Sequence, residues 1–201
     1  MSFRAFRKTA TWKALTFIPL GIVFVKHFYT VKIITGRSMQ PTLNPEPCIW
    51  RDIVVFDRVS VQTVGKFARG EVVALRSPTN PSDLLVKRIV ALEGDVVQTL
   101  PPYPEQEVKV PPGHVWLEGD EGFRTIDSNR WGPVPLGLID SKLTFIVWPP
   151  PRFGPLPEPL QRRTGTEESR VWRRGFVEMD REKWRDSRVK KAEDSFTKSS
   201  A

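Results

Sequence analysis

The sequence predicts a mainly β protein: an antiparallel β-sheet or partial barrel carrying the chemistry, preceded by one N-terminal membrane-anchor helix. Two observations predict it. Between residues 31 and 150 the chain is a series of short β-branched runs punctuated by Gly, Pro, Asn and Asp. Ahead of them, residues 14–25 (ALTFIPLGIVFV) form one apolar stretch, and no acidic residue occurs before Glu46. The 19 prolines suit short strands and stiff loops better than a helical bundle.

The N-terminus comes first. It carries Arg4, Arg7, Lys8 and Lys13. As a helix, the apolar stretch would span about 18 Å, short of a hydrocarbon core of about 30 Å. Continuing through Lys26, His27, Phe28 and Tyr29 to Ile34 lengthens it, with Lys26 able to snorkel and Tyr29 suited to the interface. A cleaved signal peptide and a buried core helix are the competing readings. The first lacks a clear small-x-small site before Ser38, and the second needs no flanking cations. An anchor within residues 1–30 is therefore the expectation, its basic end on the cytoplasmic or matrix side.

The strands follow in order: VKIIT, IVVF (53–56), EVVALR (71–76), LLVKRIVAL (84–92), VVQTL (96–100), VKV (108–110), HVWLEG (114–119) and KLTFIVW (142–148). They place the β domain at 31–152. The stretch WPPPRFGPLPEP stops the last strand. Residues 153–201 then read as a Pro-rich linker and a charged, flexible tail, with Trp172, Phe176 and Trp184 its main apolar features and a frayed helix the alternative.

Charge and cysteine content narrow the classes. The single cysteine, Cys48, excludes an intrachain disulfide. A net charge of +8 fits nucleic acid or an anionic bilayer. The positive charge gathers at the two ends, however, and strand aromatics are few, unlike a nucleic-acid-binding barrel. The lipid bilayer is the expected partner, and nucleic acid is not.

Three segments carry candidate chemistry. Residues 36–45, GRSMQPTLNP, set Ser38 in a proline-stiffened turn; taken alone this reads as a surface turn. A serine needs a base. His27 sits in or beside the apolar segment and His114 starts a strand, and neither context demands a triad. A lysine serves if apolar burial lowers its pKa from about 10.4. In LLVKRIVAL the strand alternation puts Leu85, Lys87 and Ile89 on one face and Val86, Arg88 and Val90 on the other. Lys87 is thus flanked by aliphatics, although a lysine at a sheet edge is the ordinary reading, and Arg88 is expected in a salt bridge on the back face. The third segment, EGDEGFRTIDSNRWGPVP (118–135), does not have calcium-loop spacing. It reads as a polar loop buttressing a site, its acids bonded to backbone amides or Arg88, and no metal or other cofactor is expected.

In this order and spacing, GRSMQPTLNP, VKRIVALEGD and EGDEGFRTIDSNRWGPVP resemble the type I signal peptidases, Ser-Lys membrane proteases. The resemblance covers roughly residues 15–152 and displaces both ordinary readings. The SMQPTLNP run, ALEGD, DSN-x-x-GPVPLGL and the WPP ending point to the mitochondrial inner-membrane branch. It implies that Ser38 attacks the scissile carbonyl and that Lys87 takes its proton and passes it to the leaving amine. The Ser38 N–H would donate to the oxyanion, Met39 would pack beside the site, Thr125 would orient Lys87, and Asp127 would hold its loop. Gly36 stands where bacterial relatives often place a hydroxyl as oxyanion donor, so that donor is lacking here. Asp127-Ser128-Asn129, with Arg130 displaced by one, replaces their Asp-Ser-Arg and puts the loop's salt bridge in doubt. The implied substrates are precursor proteins carrying sorting sequences into the intermembrane space. The implied partner is a homologous second catalytic subunit, and the implied location is the mitochondrial inner membrane, single-pass, with the catalytic domain facing that space. A non-catalytic scaffold subunit, or a signal peptidase of a bacterial or plastid membrane, are the alternatives.

Overall fold

The computed structural model describes residues 28–45, 49–121, 125–156 and 172–192. Residues 1–27 of the expected anchor, including His27, and Cys48 lie outside these residues; the considered continuation of the helix to Ile34 is instead a strand, Tyr29–Ile33. No helix among the described residues is long and apolar enough to cross a membrane.

Eleven strands are described: β1 (Tyr29–Ile33), β2 (Ile53–Asp57), β3 (Val72–Arg76), β4 (Leu84–Ala91), β5 (Val96–Gln98), β6 (Glu107–Lys109), β7 (His114–Glu118), β8 (Val134–Pro135), β9 (Ile139–Trp148), β10 (Gly154–Pro155) and β11 (Val189–Lys190). The main sheet has eight strands in the order β1-β2-β9-β3-β4-β7-β8, with β10 pairing β9; β11-β5-β6 form a second sheet. All these pairings are antiparallel. The mainly β reading therefore holds, and each expected run contributes a strand. β8, β10 and β11, two residues each, are too short to carry a periodic signal.

The main sheet is covered on both faces around β3. Val72 and Ala74 join Met39, Leu43, Phe56 and Leu143 in one cluster, while Val73 and Leu75 join Ile89, Val115, Leu117 and Val134 in another. Burial on both faces explains why EVVALR is a continuous apolar run rather than an alternating one. β4 has an irregularity between Ile89 and Ala91 where it pairs β7. Past it, Val90 and Ala91 pack with Val97, Val108, Trp116 and Val189 in a third cluster. The predicted alternation is thus interrupted at Val90 by a bulge, which a simple period-two pattern does not register.

At the opposite edge, an apolar face remains open. The register aligns Val31 with Val55 and Val55 with Phe145, then Ile33 with Ile53 and Ile53 with Trp148. Val31 and Ile33 are 57% and 58% exposed, and Trp50 and Phe153, also exposed, pack edge-on against Trp148 and Phe145.

Of the C-terminal residues, 172–192 are described. A helix, Trp172–Ser187, leads directly into β11, whose Val189 and Lys190 pair with Val97 and Val96 of β5. The two-residue strand had no sequence signal.

Candidate active site

Ser38 lies in the turn after β1, and the turn is held at both ends. Asn44 sits in the left-handed region, φ 51°, which Asn tolerates better than most residues. From there its Nδ2 donates to the carbonyl of Ile34 at 2.8 Å, its Oδ1 accepts from the Asp52 N–H at 2.7 Å, and its own N–H donates to Asp52 Oδ2 at 2.8 Å. Arg152 pairs with Asp52 and donates to the Thr42 carbonyl. Met39, 1% exposed, anchors the turn in the core. Pro-Thr-Leu-Asn-Pro is therefore the lock that fixes where Ser38 stands.

Ser38 is half-buried. Its carbonyl accepts from the Glu121 N–H at 3.1 Å and rests against Gly119. A Cβ on Gly119 would lie 2.6 Å from that oxygen and 2.3 Å from Cγ2 of Thr125. Gly119 follows Glu118, the partner of Arg88 across the β4–β7 pairing. Carrying that register one residue further sets Gly119 across from Lys87. Residues directly opposite in an antiparallel pair project to the same face. Lys87 therefore projects to the side of the sheet on which the Ser38 carbonyl and Thr125 lie against Gly119. No hydrogen bond joins Ser38 to Lys87 among the described residues; the geometry brings them to one face without coupling them. Such bonds are often long before substrate binds.

Lys87 is 3% exposed, between Leu85 and Ile89 on its strand and opposite Val73 of β3. Burial pulls its ammonium below the ordinary value, while Asp127 and then Asp120 push the other way. The low-dielectric surroundings thus favour the neutral amine, the form that accepts a proton.

Asp127 organises the third segment. Its Oδ1 accepts from the Asn129 N–H at 3.0 Å and caps the short helix Ser128–Trp131. Its Oδ2 accepts from the Gly119 N–H at 3.2 Å and from the Thr125 hydroxyl. Thr125 is thus engaged with Asp127 rather than hydrogen-bonded to Lys87. Ser128 Oγ accepts from the Leu117 N–H at 2.9 Å, and Asn129 Nδ2 donates to Glu118 at 3.1 Å and Asp127 at 3.2 Å. Asn129 tethers the loop where a salt bridge was in doubt, and Arg130 is exposed.

Arg88, on the other face, is bidentate to Asp120, at 2.8 Å from Nε and 2.6 Å from Nη2. Its Nη2 also lies 3.0 Å from Thr42 Oγ1, which donates to Asp120 at 2.5 Å. Burial alone would raise the Asp120 carboxyl, but Arg88, Arg185 and Thr42 hold it at about 2. Thr42 and Gly119 are the residues that sequence reasoning missed: their partners are remote in sequence, and only the glycine of the EGD motif hinted at a close approach. Gly36 is exposed, and a Cβ there meets nothing within 4 Å. His114 Nδ1 lies 2.9 Å from the Pro112 carbonyl in the turn before β7. Among the described residues, no group of three or more His, Cys, Asp or Glu could share a metal ion.

Residues 8–101 match the model of the signal peptidase family, peptidase S26. Mitochondrial inner membrane protease subunit 2 of Schizosaccharomyces pombe is 46% identical over 138 residues, covering 68% of this chain and 74% of that protein. The chain belongs to the signal peptidase family. It is accordingly a serine-protease-type hydrolase. Subunit 2 of Mus musculus is 41% identical over 136 residues, covering 68% of this chain and 77% of that protein. Subunit 1 of Schizosaccharomyces pombe is 34% identical over 148 residues, covering 68% and 89% respectively. This signal peptidase thus has relatives among both named subunits.

Proposed function

We propose that the protein is a mitochondrial signal peptidase that removes sorting sequences from precursor proteins in the intermembrane space, with Ser38 as nucleophile and Lys87 as general base. The observation that carries this is a buried Lys87, its pKa lowered, on the side of the sheet where the Ser38 turn is seated against Gly119. Neutral Lys87 takes the Ser38 hydroxyl proton as Oγ attacks the scissile carbonyl. The oxyanion so formed is held by the Ser38 N–H, and the ammonium of Lys87 then protonates the leaving amine. Water, deprotonated by the same lysine, hydrolyses the acyl-enzyme. Asp127 keeps Gly119 and Thr125 in place, and Asp120 ties the Ser38 turn, through Thr42, to Arg88 beside Lys87.

The relatives and the surface support the location. Relatives at 46% and 41% identity are named for the mitochondrial inner membrane. The open apolar face of β1, β2 and β9, with Trp50, Trp148 and Phe153, adjoins the strand that follows the apolar 14–25 segment. Such a face, rimmed with tryptophan, suits the lipid interface. A single anchor, a catalytic domain in the intermembrane space and assembly with a homologous second subunit complete the reading. Profiling mature protein N-termini in mitochondria carrying Ser38→Ala tests it. A defined set of intermembrane-space proteins retaining their sorting segments is expected; an unchanged profile, with the variant present at wild-type level, refutes it.

A further inference from the structure

The C-terminal helix and β11 deliver two arginines to the carboxylates behind the site. Arg185 pairs with Asp120, and Arg188 pairs with Glu118. All four side chains are nearly inaccessible, at 11% or less. β11 fixes their position: Arg188 also exchanges two hydrogen bonds of 2.9 Å with the backbone of Gln98, and the Ala192 N–H donates to Asp95 Oδ1 at 2.9 Å. Exposed ion pairs contribute little, but removing one partner of a buried pair strands a charge.

Each pair leads to the site in short steps. Glu118 Oε1 accepts from Trp116 Nε1 at 3.0 Å and from Asn129 Nδ2, and Asn129 bonds Asp127, which holds Gly119 and Thr125. Asp120 accepts from Thr42, four residues after Ser38, and from Arg88, next to Lys87. Among the described residues Arg188 is the one cation paired with Glu118, whereas Asp120 keeps Arg88 if Arg185 is lost.

We propose that residues 172–192 are a built-in clamp of the catalytic site, with Arg188 and Arg185 as positioning residues that hold Glu118 and Asp120 so that Gly119 and Asp127 present Lys87 to Ser38. This rests on the protease reading above. Arg188 is the stronger member because no second cation replaces it at Glu118.

The test uses the full-length protein, solubilised with its membrane partners, and a fluorogenic peptide spanning the first precursor site found uncut in Ser38→Ala mitochondria. Rates are taken at a temperature where tryptophan fluorescence shows each variant folded. Arg188→Ala is expected to lower kcat about tenfold with KM within about twofold, since small misplacements of reacting groups are costly. Arg185→Ala is expected to lower it less. Arg188→Lys, and Arg188→Ala combined with Glu118→Gln, are expected to recover most of the loss, and they carry the test if Arg188→Ala does not fold. Lys66→Ala, an exposed side chain outside the clamp, is expected to cleave as wild type. Wild-type turnover by Arg188→Ala, or a loss that neither Arg188→Lys nor the paired Glu118→Gln change relieves, overturns the clamp. Wild type no faster than Ser38→Ala overturns the protease reading and the clamp with it.

Discussion

A Cβ on Gly119 would stand 2.6 Å from the carbonyl oxygen of Ser38. The Ser38 turn is seated against the residue that follows β7, the strand paired with β4, which carries Lys87. The absent side chain at 119 is what lets the two segments meet.

Gly119→Ala therefore has no room. The new methyl meets the Ser38 backbone and both Cβ and Cγ2 of Thr125, so relaxation must displace the turn itself. The substitution should lower kcat/KM by about 100-fold or more and stability by about 1–3 kcal/mol. Steady-state cleavage and thermal melting check the two effects. Gly36→Ala, where a Cβ meets nothing, is the steric control and should melt within about 0.5 kcal/mol of wild type.

Lys87 links activity to pH in a stated direction. Burial lowers its pKa below 10.5; in the proposed mechanism the neutral amine is the working base, so kcat/KM should rise with pH through that lowered pKa and fade in acid. Stability follows the same sign. Between the lowered folded pKa and 10.5 the unfolded chain binds more protons, so this group's contribution improves as pH rises through that window. At neutral pH, Lys87→Met should be inactive yet more stable, by on the order of 1 kcal/mol, as melting of the two proteins would show.

Asp120 carries the same sign at the acid end of the pH range. Its carboxyl is held at about 2 against an ordinary 3.8. Its stabilising contribution is complete above 3.8 and is lost as pH falls towards 2. Asp120→Asn strands part of the Arg88–Arg185 charge and should destabilise by about 3 kcal/mol. Acid unfolding of the variant should lack the corresponding step.

The Ser38 turn should depend on Asn44. Replacing it with Ala removes three side-chain hydrogen bonds, to the Ile34 and Gly36 carbonyls and from the Asp52 N–H, and places Ala at φ 51°. A loss of about 2 kcal/mol in stability and a larger proportional fall in kcat than in KM are expected from melting and kinetics.

Much of this was legible in the sequence where the signal is local. LLVKRIVAL announces a strand by its β-branched residues, and its alternation places Lys87 among aliphatics. HVWLEG and KLTFIVW read as strands for the same reason. The Asp127-Ser128-Asn129 turn and the Arg88 ion pair were expected in kind. What was not legible is what depends on folding remote segments together. Thr42 meets Asp120 across 78 positions, and Arg188 meets Glu118 across 70. β11 is two residues long and exists because β5 offers an edge. The charged composition of residues 160–201 pointed away from a packed role, yet Arg188 is buried and Arg185 half-buried because each pairs with a carboxylate.

The central claim is that Ser38 and Lys87 act as one catalytic pair. The most direct measurement compares precursor cleavage by wild type, Ser38→Ala and Lys87→Ala, each shown to accumulate and to assemble at equal levels. If the two residues are nucleophile and base of one mechanism, either substitution alone abolishes cleavage, and the double variant is no worse than either. Cleavage at the wild-type rate by either single variant would contradict the account.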